Sequence, residues 1–549
     1  MKNGFRQSMA WLHTWTGLVV GWVLFFVFVT GNLGRFDTEI DRWMKPEIAK
    51  ETASLTQAVG AAQERLQQRA ANAETWTIWP ATNRDYPNLR IRWETQPMEK
   101  AKGSSKQLDE RERRVEETLN PETAKPVEAR ATGGGQLLYK MHYALHYLPR
   151  NVTDWLIGIC SMFMLVAIIS GVVTHKKIFA DFFTFRPNKG QRSWLDLHAF
   201  LATITLPFFL MITYSGLLFF VFTLFPYPLS SQYGEGRDAR ETFNNELNER
   251  EFSAHASGTQ ASLASLTALA AVAESRWGVN QIRVIEVSNP NDANARVRFT
   301  HLLDSTSRSS EELVFDGVSG NLLGERAAEG SNSRGFYDHL LGLHRGLFGS
   351  WVLRWLYFLS GLAGSIIIAS GLVLWVVKRN PKQLKQANGP DFGHRLVQVL
   401  NVGTIAGLPV AIAAYFLANR LLPIGISGRV DWEVNSLFIV WLAALLYPLA
   451  RPLNRAWIEL FWAAAVAFVL IPFVNTFTTE RGFISSVQAQ DWIFISFDLV
   501  AITTGLLFAY GAIKLTRREN AEALAKPHRR DRKPVSQTPD VQSPDIEVA

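Results

Sequence analysis

The sequence predicts a mostly α-helical polytopic membrane protein of about eight transmembrane helices, with two small extracytoplasmic α+β modules. Three observations carry that prediction. Hydrophobic residues make up 48% of the 549 and gather in runs about 20 residues long, enough to cross a bilayer core as helix. Two long polar segments interrupt the runs. A histidine pattern around the runs occurs twice.

The apolar runs are residues 11–33, 155–174, 199–222, 351–377, 396–418, 436–449, 456–474 and 492–513, the sixth being short. The chain then divides as follows: first span 1–35, polar module 36–150, second span 151–175, link 176–198, third span 199–225, polar module 226–350 and fourth span 351–379. A C-terminal four-helix membrane bundle follows over 380–515, and a charged, Pro-rich tail expected to be disordered over 516–549. In the first module 54–69 reads as helix and 76–79 and 89–93 as strands. In the second, 262–277 reads as helix and 282–287, 295–301 and 312–315 as strands. Both modules carry a similar turn, Thr118-Leu119-Asn120-Pro121-Glu122-Thr123 beside Val314-Phe315-Asp316-Gly317-Val318-Ser319. The stretch 100–113 is densely charged and reads as an insertion.

Basic residues set the orientation. Lys2 and Arg6 precede the first span, the link from His175 to Arg192 carries Lys176, Lys177, Arg186, Lys189 and Arg192, and Lys378, Arg379, Lys382, Lys385 and Arg395 follow the fourth span. With eight spans these all fall on one side, so both termini are cytoplasmic and the two polar modules lie outside. The net charge of +7 therefore reports topology and contact with anionic lipid, not nucleic acid. No small-residue cleavage site follows the first run, which reads as a retained span. Cys160 is the single cysteine, so intrachain disulfides, cysteine-ligated clusters and covalently attached haem are excluded.

Eight of the eleven histidines lie near a proposed membrane boundary. His13, His175, His198 and His394 are on the cytoplasmic side, and His142, His146, His339 and His344 face outward. His255, His301 and His528 read as solvent-exposed. Trp11-Leu12-His13 and Asp196-Leu197-His198 each open an apolar run, 185 positions apart, and Tyr139 and His146 match Tyr337 and His344 at 198. A lone interfacial histidine is ordinarily an anchor. Histidines related by duplication sit at equal depth on pseudo-symmetric helices, the arrangement a bis-histidine haem requires. The expected ligands are His13 and His198 inside and His146 and His344 outside, for two non-covalent b-type haems. His175 is a third inner candidate. His142, four residues before His146, is either a ligand or a supporting partner. His339 is a weaker candidate without a repeat mate, and His394 reads as structural. The pairs Thr30-Gly31, Ser170-Gly171, Ser215-Gly216 and Ser370-Gly371 read first as close helix packing. Alternatively, their glycines open room for a macrocycle. Arg150, Arg345 and Arg354 are candidates to neutralise propionates. No G-x-G-x-x-G follows a strand, so no flavin or NAD site is expected and the electron donor is separate, a quinol or a cytoplasmic reductase.

Several passages are long and specific. His175-Lys176-Lys177-Ile178-Phe179-Ala180-Asp181-Phe182-Phe183-Thr184-Phe185-Arg186-Pro187, running on to Arg192-Ser193-Trp194-Leu195-Asp196-Leu197-His198, resembles the PepSY-associated transmembrane helix family. So do Glu39-Ile40-Asp41-Arg42-Trp43 and Leu343-His344-Arg345-Gly346-Leu347-Phe348. The resemblance covers residues 1 to about 380. It implies a bacterial inner-membrane protein with two periplasmic PepSY modules, tied to iron uptake and to haem-bearing reduction of ferric siderophores. One departure stands out: where the family commonly carries a histidine in the third span, this chain reads Leu206-Pro207-Phe208-Phe209-Leu210.

The expected function is transmembrane electron transfer to a ferric siderophore or other periplasmic iron chelate. The alternatives are a non-enzymatic PepSY-type binding or regulatory protein and, last, transport through a C-terminal bundle expected to hold almost no buried charge. Distance opposes the first reading. His146 and His175 are 29 residues apart, roughly 43 Å of helix at about 1.5 Å each.

Overall fold

In the computed structural model the apolar runs are helices, and the two polar segments fold together over one end of them. The structure describes residues 4–48, 53–81, 84, 87–95, 113–175, 186, 189–234, 242, 254–302, 306, 310–327, 332–346, 348, 350–386 and 389–524. The charged stretch expected as an insertion, most of the basic link after His175 and His528 lie outside these residues.

The first half runs α1 (Phe5–Leu33), α2 (Asp37–Met44), α3 (Leu55–Ala70), β1 (Thr75–Trp79), β2 (Arg90–Glu94), β3 (Arg114–Asn120), β4 (Lys125–Pro126), α4 (Gly134–Tyr143) and α5 (Arg150–Thr174). The second copy runs α6 (Gln191–Ile204), α7 (Leu206–Leu218), the short α8 (Val221–Leu224) and α9 (Tyr227–Tyr233), then α10 (Leu266–Trp277), β5 (Ile282–Ser288), β6 (Arg296–His301), β7 (Glu312–Asp316), β8 (Leu322–Arg326), α11 (Asn332–Arg345) and α12 (Trp351–Gln383). The C-terminal part is α13 (Phe392–Asn401), a π-helical turn (Val402–Ala406), α14 (Gly407–Leu421), α15 (Arg429–Ala450), α16 (Leu453–Thr478), α17 (Phe483–Gln488) and α18 (Trp492–Leu524).

Among the described residues seven helices are long and apolar enough to cross a membrane. The expected third span is instead α6 and α7, bent by 69°. Pro207, in the first turn of α7, has no N–H to give, and its ring opposes the carbonyl of Thr203, so the helix of α6 ends at Thr205. The expected sixth span is longer than the apolar run, extending over Arg429–Ala450. The last helix continues to Leu524, so the tail expected to be disordered from residue 516 begins as helix.

The two polar segments do not form separate modules. Each contributes one helix and four strands, and β1 pairs antiparallel with β5, Thr75 opposite Ser288 and Ile78 opposite Ile285. The result is one eight-stranded antiparallel sheet, β4-β3-β2-β1-β5-β6-β7-β8. Period-two alternation puts Trp76, Ile78, Ile91 and Trp93 on its inner face, where Val59, Ala62, Leu66, Leu269 and Ala273 of α3 and α10 cover them in one core. Ser54 caps α3 through a reciprocal pair with Gln57, and Ser265 caps α10. The two Asx-type turns read from the sequence join β3 to β4 and β7 to β8, with Asn120 and Asp316 accepting from the backbone two and three residues on. His301, expected in solvent, is half-buried against Trp277.

In the span layer α1 lies against α5 and α12, α6 against α12, and α7 against α5. The C-terminal helices are not a separate bundle. Leu408, Ile412, Phe416, Leu437 and Phe494 share a core with Phe25 and Phe26 of α1, Trp43 of α2 and Leu138 of α4. The expectation of almost no buried charge there is also overturned. Arg420, Arg429, Glu433, Asp491 and Asp498 are all buried at this seam. Arg42 bonds Asp491 at 2.6 Å, Trp43 Nε1 donates to Asp498 at 3.1 Å, and Arg420 reaches the Trp43 carbonyl. Arg420, Asp491 and Asp498 were invisible as buried because Trp43 and Arg42, which they bond, lie more than 370 residues away in sequence.

Candidate functional site: two facing histidine pairs

Two pairs of imidazoles face each other inside the span layer, one above the other. His13 of α1 and His198 of α6 have ring centroids 6.2 Å apart at 75°. His142 of α4 and His344 of α11 have centroids 6.1 Å apart at 31°. The second pair lies on the side of the sheet.

All four rings are braced in one way. Nδ1 of His13 donates to the Ala167 carbonyl at 2.8 Å, His198 to Ile367 at 3.0 Å, His142 to Val27 at 2.8 Å and His344 to Ile212 at 2.9 Å. Each carbonyl lies four residues before the glycine of a small-residue pair: Gly171, Gly371, Gly31 and Gly216. A β-carbon at Gly171, Gly216 or Gly371 would stand 3.1, 2.8 or 3.2 Å from the ring it faces, and one at Gly31 would overlap His142. The glycines thus open room for the imidazoles themselves. The preceding hydroxyls fold back onto their own helices, Thr30 to the Phe26 carbonyl, Ser170 to Val166 and Ser215 to Met211. Ser370 and Ser215 also touch Nδ1 of His198 and His344.

A carbonyl only accepts, so each Nδ1 must carry the proton and each Nε2 keeps its lone pair. Burial holds His142 and His344 below the ordinary imidazole range, and Arg35 opposes protonation of both. Each is therefore a neutral donor aimed away from its brace. Metal–imidazole bonds of about 2.0–2.1 Å, with about 1.1–1.2 Å from nitrogen to ring centre, would separate the centroids of two imidazoles on opposite sides of one metal by about 6.2–6.6 Å. The first pair, at 6.2 Å, stands at the near edge of that range and the second, at 6.1 Å, just short of it. No group of three or more His, Cys, Asp or Glu side chains suited to a metal occurs among the described residues. Two imidazoles alone do not complete a coordination shell, so the arrangement suits a metal whose other ligands arrive with it, as in a porphyrin.

The sheet-side pair opens on a cavity of about 830 Å³. Its lining includes apolar Val27, Phe208 and Phe219, the cationic Arg35, Arg84, Arg345 and Arg354, and the carboxylates Asp37 and Asp41. An apolar lining with cations in excess matches a flat apolar ring bearing carboxylates. Arg35, which the sequence did not flag, bonds the carbonyls of His344 and Arg345 and lies 4.9 Å over the Tyr357 ring. Arg150, a propionate candidate, pairs with Asp154 at 2.7 Å, and Arg354 lies 3.4 Å from Glu39.

The expected outer pair of His146 and His344 does not form. His146 is exposed and packs on Tyr147 and Phe438, beyond the end of α4. His142 takes its place one helical turn earlier. The sequence carried the signal in a different register: Leu138-Tyr139-Lys140-Met141-His142-Tyr143-Ala144-Leu145 aligns with Leu340-Leu341-Gly342-Leu343-His344-Arg345-Gly346-Leu347 at an offset of 202. Of the three inner candidates the structure brings His13 and His198 together. His175 caps α5, its backbone N–H bonding Gly171. His339 is exposed and bonds Thr306 at 2.7 Å. The 43 Å separation does not arise either, because Val27, which braces His142, is fourteen residues from His13 on one helix, about 21 Å at about 1.5 Å per residue.

α4, which carries His142, is clamped at its start by the C-terminal helices. Glu433, fully buried, accepts from Thr132 Oγ1 at 2.6 Å and from the Gly133 N–H at 3.2 Å, and pairs with Arg429. Tyr415 donates to the Gly134 carbonyl at 3.0 Å. α11, which carries His344, packs instead on α7.

The profile of the PepSY-associated TM region family matches residues 10–378. The uncharacterized protein PA4219 of Pseudomonas aeruginosa is 28% identical over 357 residues, covering 58% of this chain and 82% of that protein.

Proposed function

This chain belongs to the PepSY-associated TM region family, and from that premise we propose that it is a b-type haem protein of the bacterial inner membrane. It carries electrons outward to ferric iron held by a siderophore or similar chelate. The observation that carries this reading is the paired geometry: two facing histidine couples, at 6.2 and 6.1 Å, each ring tethered through Nδ1. His13 and His198 would hold one iron porphyrin, and His142 and His344 the other. A porphyrin iron with two imidazoles supplies one-electron carriage and leaves no open position for substrate.

The chain's own residues do the rest. The backbone carbonyls orient the four rings and keep their Nε2 atoms unprotonated. Arg35 and the other arginines lining the cavity offset carboxylate charge at the sheet-side site and draw an anionic chelate towards it. Counting the bent α6–α7 pair as one span gives eight, with the basic links on the cytoplasmic face and the sheet in the periplasm. An electron accepted from a quinol or cytoplasmic reductase near His13 would then leave near His142. Reduction frees the metal because hard oxygen chelators hold Fe²⁺ far less tightly than Fe³⁺.

The test is a reduced-minus-oxidised absorption spectrum of protein expressed with adequate haem. A b-type α-band is expected, and its absence overturns the reading. Replacing His198 or His142 with Ala should each remove about half of the haem, because each pair needs both imidazoles. His146→Ala and His255→Ala should remove none.

A further inference from the structure

The two pairs leave one buried histidine unused. His394, in the first turn of α13, is 3% exposed, and neither ring nitrogen has a hydrogen-bond partner among the described residues. Its ring stacks on Trp375 of α12 at 5.9 Å and 26°. Trp375 Nε1 is likewise buried and unpartnered. Buried polar groups in native proteins nearly always have a partner, from protein, water or ligand. Two adjacent orphans on neighbouring helices mark a place where a further molecule belongs.

Location narrows what that molecule is. Trp375 lies one helical turn beyond Gly371, which backs the His198 ring. Trp375 also meets Trp15 edge-on at 6.3 Å, and Trp15 is two residues from His13. Arg379 sits 4.1 Å over the Trp375 ring. Beside the charged Arg379 and Asp391, the side chains Trp15, Phe392 and Leu396 are apolar and exposed on helices long enough to cross a bilayer. A lipid-soluble aromatic ring with hydrogen-bonding oxygens can reach this place from the bilayer, and it would satisfy both orphans. The indole N–H can only donate, so it pairs with an oxygen lone pair. A neutral imidazole can accept from a quinol hydroxyl through one ring nitrogen and donate to a quinone oxygen through the other.

We propose that His394 and Trp375 form the headgroup site for a membrane quinol, on the side of the protein opposite the sheet. The proposal names the donor in the electron-transfer reading and rests on that reading for its purpose, though not for the binding itself. Oxidation of a bound quinol would break its two O–H bonds. The two electrons would leave singly for ferric iron at the His13–His198 pair, while one proton would pass to His394 and the other to water at the adjacent surface. His394 is then the proton acceptor and Trp375 the positioning group.

The experiment uses the purified full-length protein in detergent, with decylubiquinone as probe and binding measured by titration calorimetry. Saturable binding is expected, weakened about tenfold or more by His394→Leu and several-fold by Trp375→Phe, since each removes one of two polar contacts in an apolar site. Decylubiquinol should reduce the α-band more slowly by the same factor in each variant, with dithionite reduction unchanged. Should His394→Leu fail to fold, Trp375→Phe and His394→Gln carry the comparison. No saturable binding to the wild type, as when a single water bridges the orphans, overturns the proposal, and so does unchanged affinity in the variants. Quinone binding without any α-band would leave the site standing and defeat the electron-transfer reading instead.

Discussion

The two histidine pairs solve one problem with different means. In both, a ring is tethered by Nδ1 to a carbonyl four residues before a glycine, which leaves Nε2 unprotonated. The His13–His198 pair comes from helices of the span layer, α1 braced on α5 and α6 on α12, with rings nearly perpendicular. The His142–His344 pair comes from short helices that precede α5 and α12, with rings much closer to parallel. Its two halves are also unequal, because α4 is held by Glu433 and Tyr415 of the C-terminal helices while α11 rests on its own repeat. Duplication therefore accounts for the four braces, and the extra helices account for the asymmetry. The C-terminal four spans act as a brace for one ligand helix.

That contrast can be broken at Glu433. Removing one member of a buried ion pair strands the other and typically costs about 3–5 kcal/mol. Glu433→Ala should lower the thermal midpoint and release the haem of the sheet-side pair while the other remains bound. Parallel loss of both haems would show that the C-terminal helices support the whole layer and not α4. Gly31→Val is expected to act at the same pair more gently, since overpacking costs about 1–3 kcal/mol. Haem stoichiometry reads it, and Gly171→Val should instead deplete the His13–His198 site. Gly17→Ala serves as the control on α1, because a β-carbon there meets nothing. The smallest perturbation is none at all. Ferric low-spin spectra of the wild type should contain two signals, a strongly anisotropic one from the pair at 75° and a rhombic one from the pair at 31°. In His142→Ala only the anisotropic signal should survive.

Much of this was legible in the chain. Runs of about 20 apolar residues located the spans, because a helix in lipid must satisfy its own backbone and show an apolar surface. Period-two alternation located five of the eight strands. The repeated Leu-His before two runs identified His13 and His198. Where the reading went astray, the cause was a distance in sequence. Tyr139 and Tyr337 suggested an offset of 198, which selected His146, while the histidines that meet are offset by 202. The choice turns on where α4 ends, and helix ends are set by what packs on them. The bend at Thr205 was written in Pro207 and overlooked because the run stayed apolar through it.

By itself the sequence determined the place of the apolar helices, the duplication, and the residue types able to bind a metal. These depend on local composition and on spacings of a few residues. Only the tertiary structure decided which histidines face one another, that glycine and the carbonyl four residues before it form their cradle, and that two polar segments share one sheet through β1 and β5. It also decided that Arg420, Arg429, Glu433 and Asp498 of the last four spans are buried, and that His394 and Trp375 lie side by side with their ring nitrogens unpartnered among the described residues. Each of these is a contact between residues far apart in the chain. Its free energy depends on packing that no local pattern encodes, so the sequence could mark the candidates while the fold selected among them.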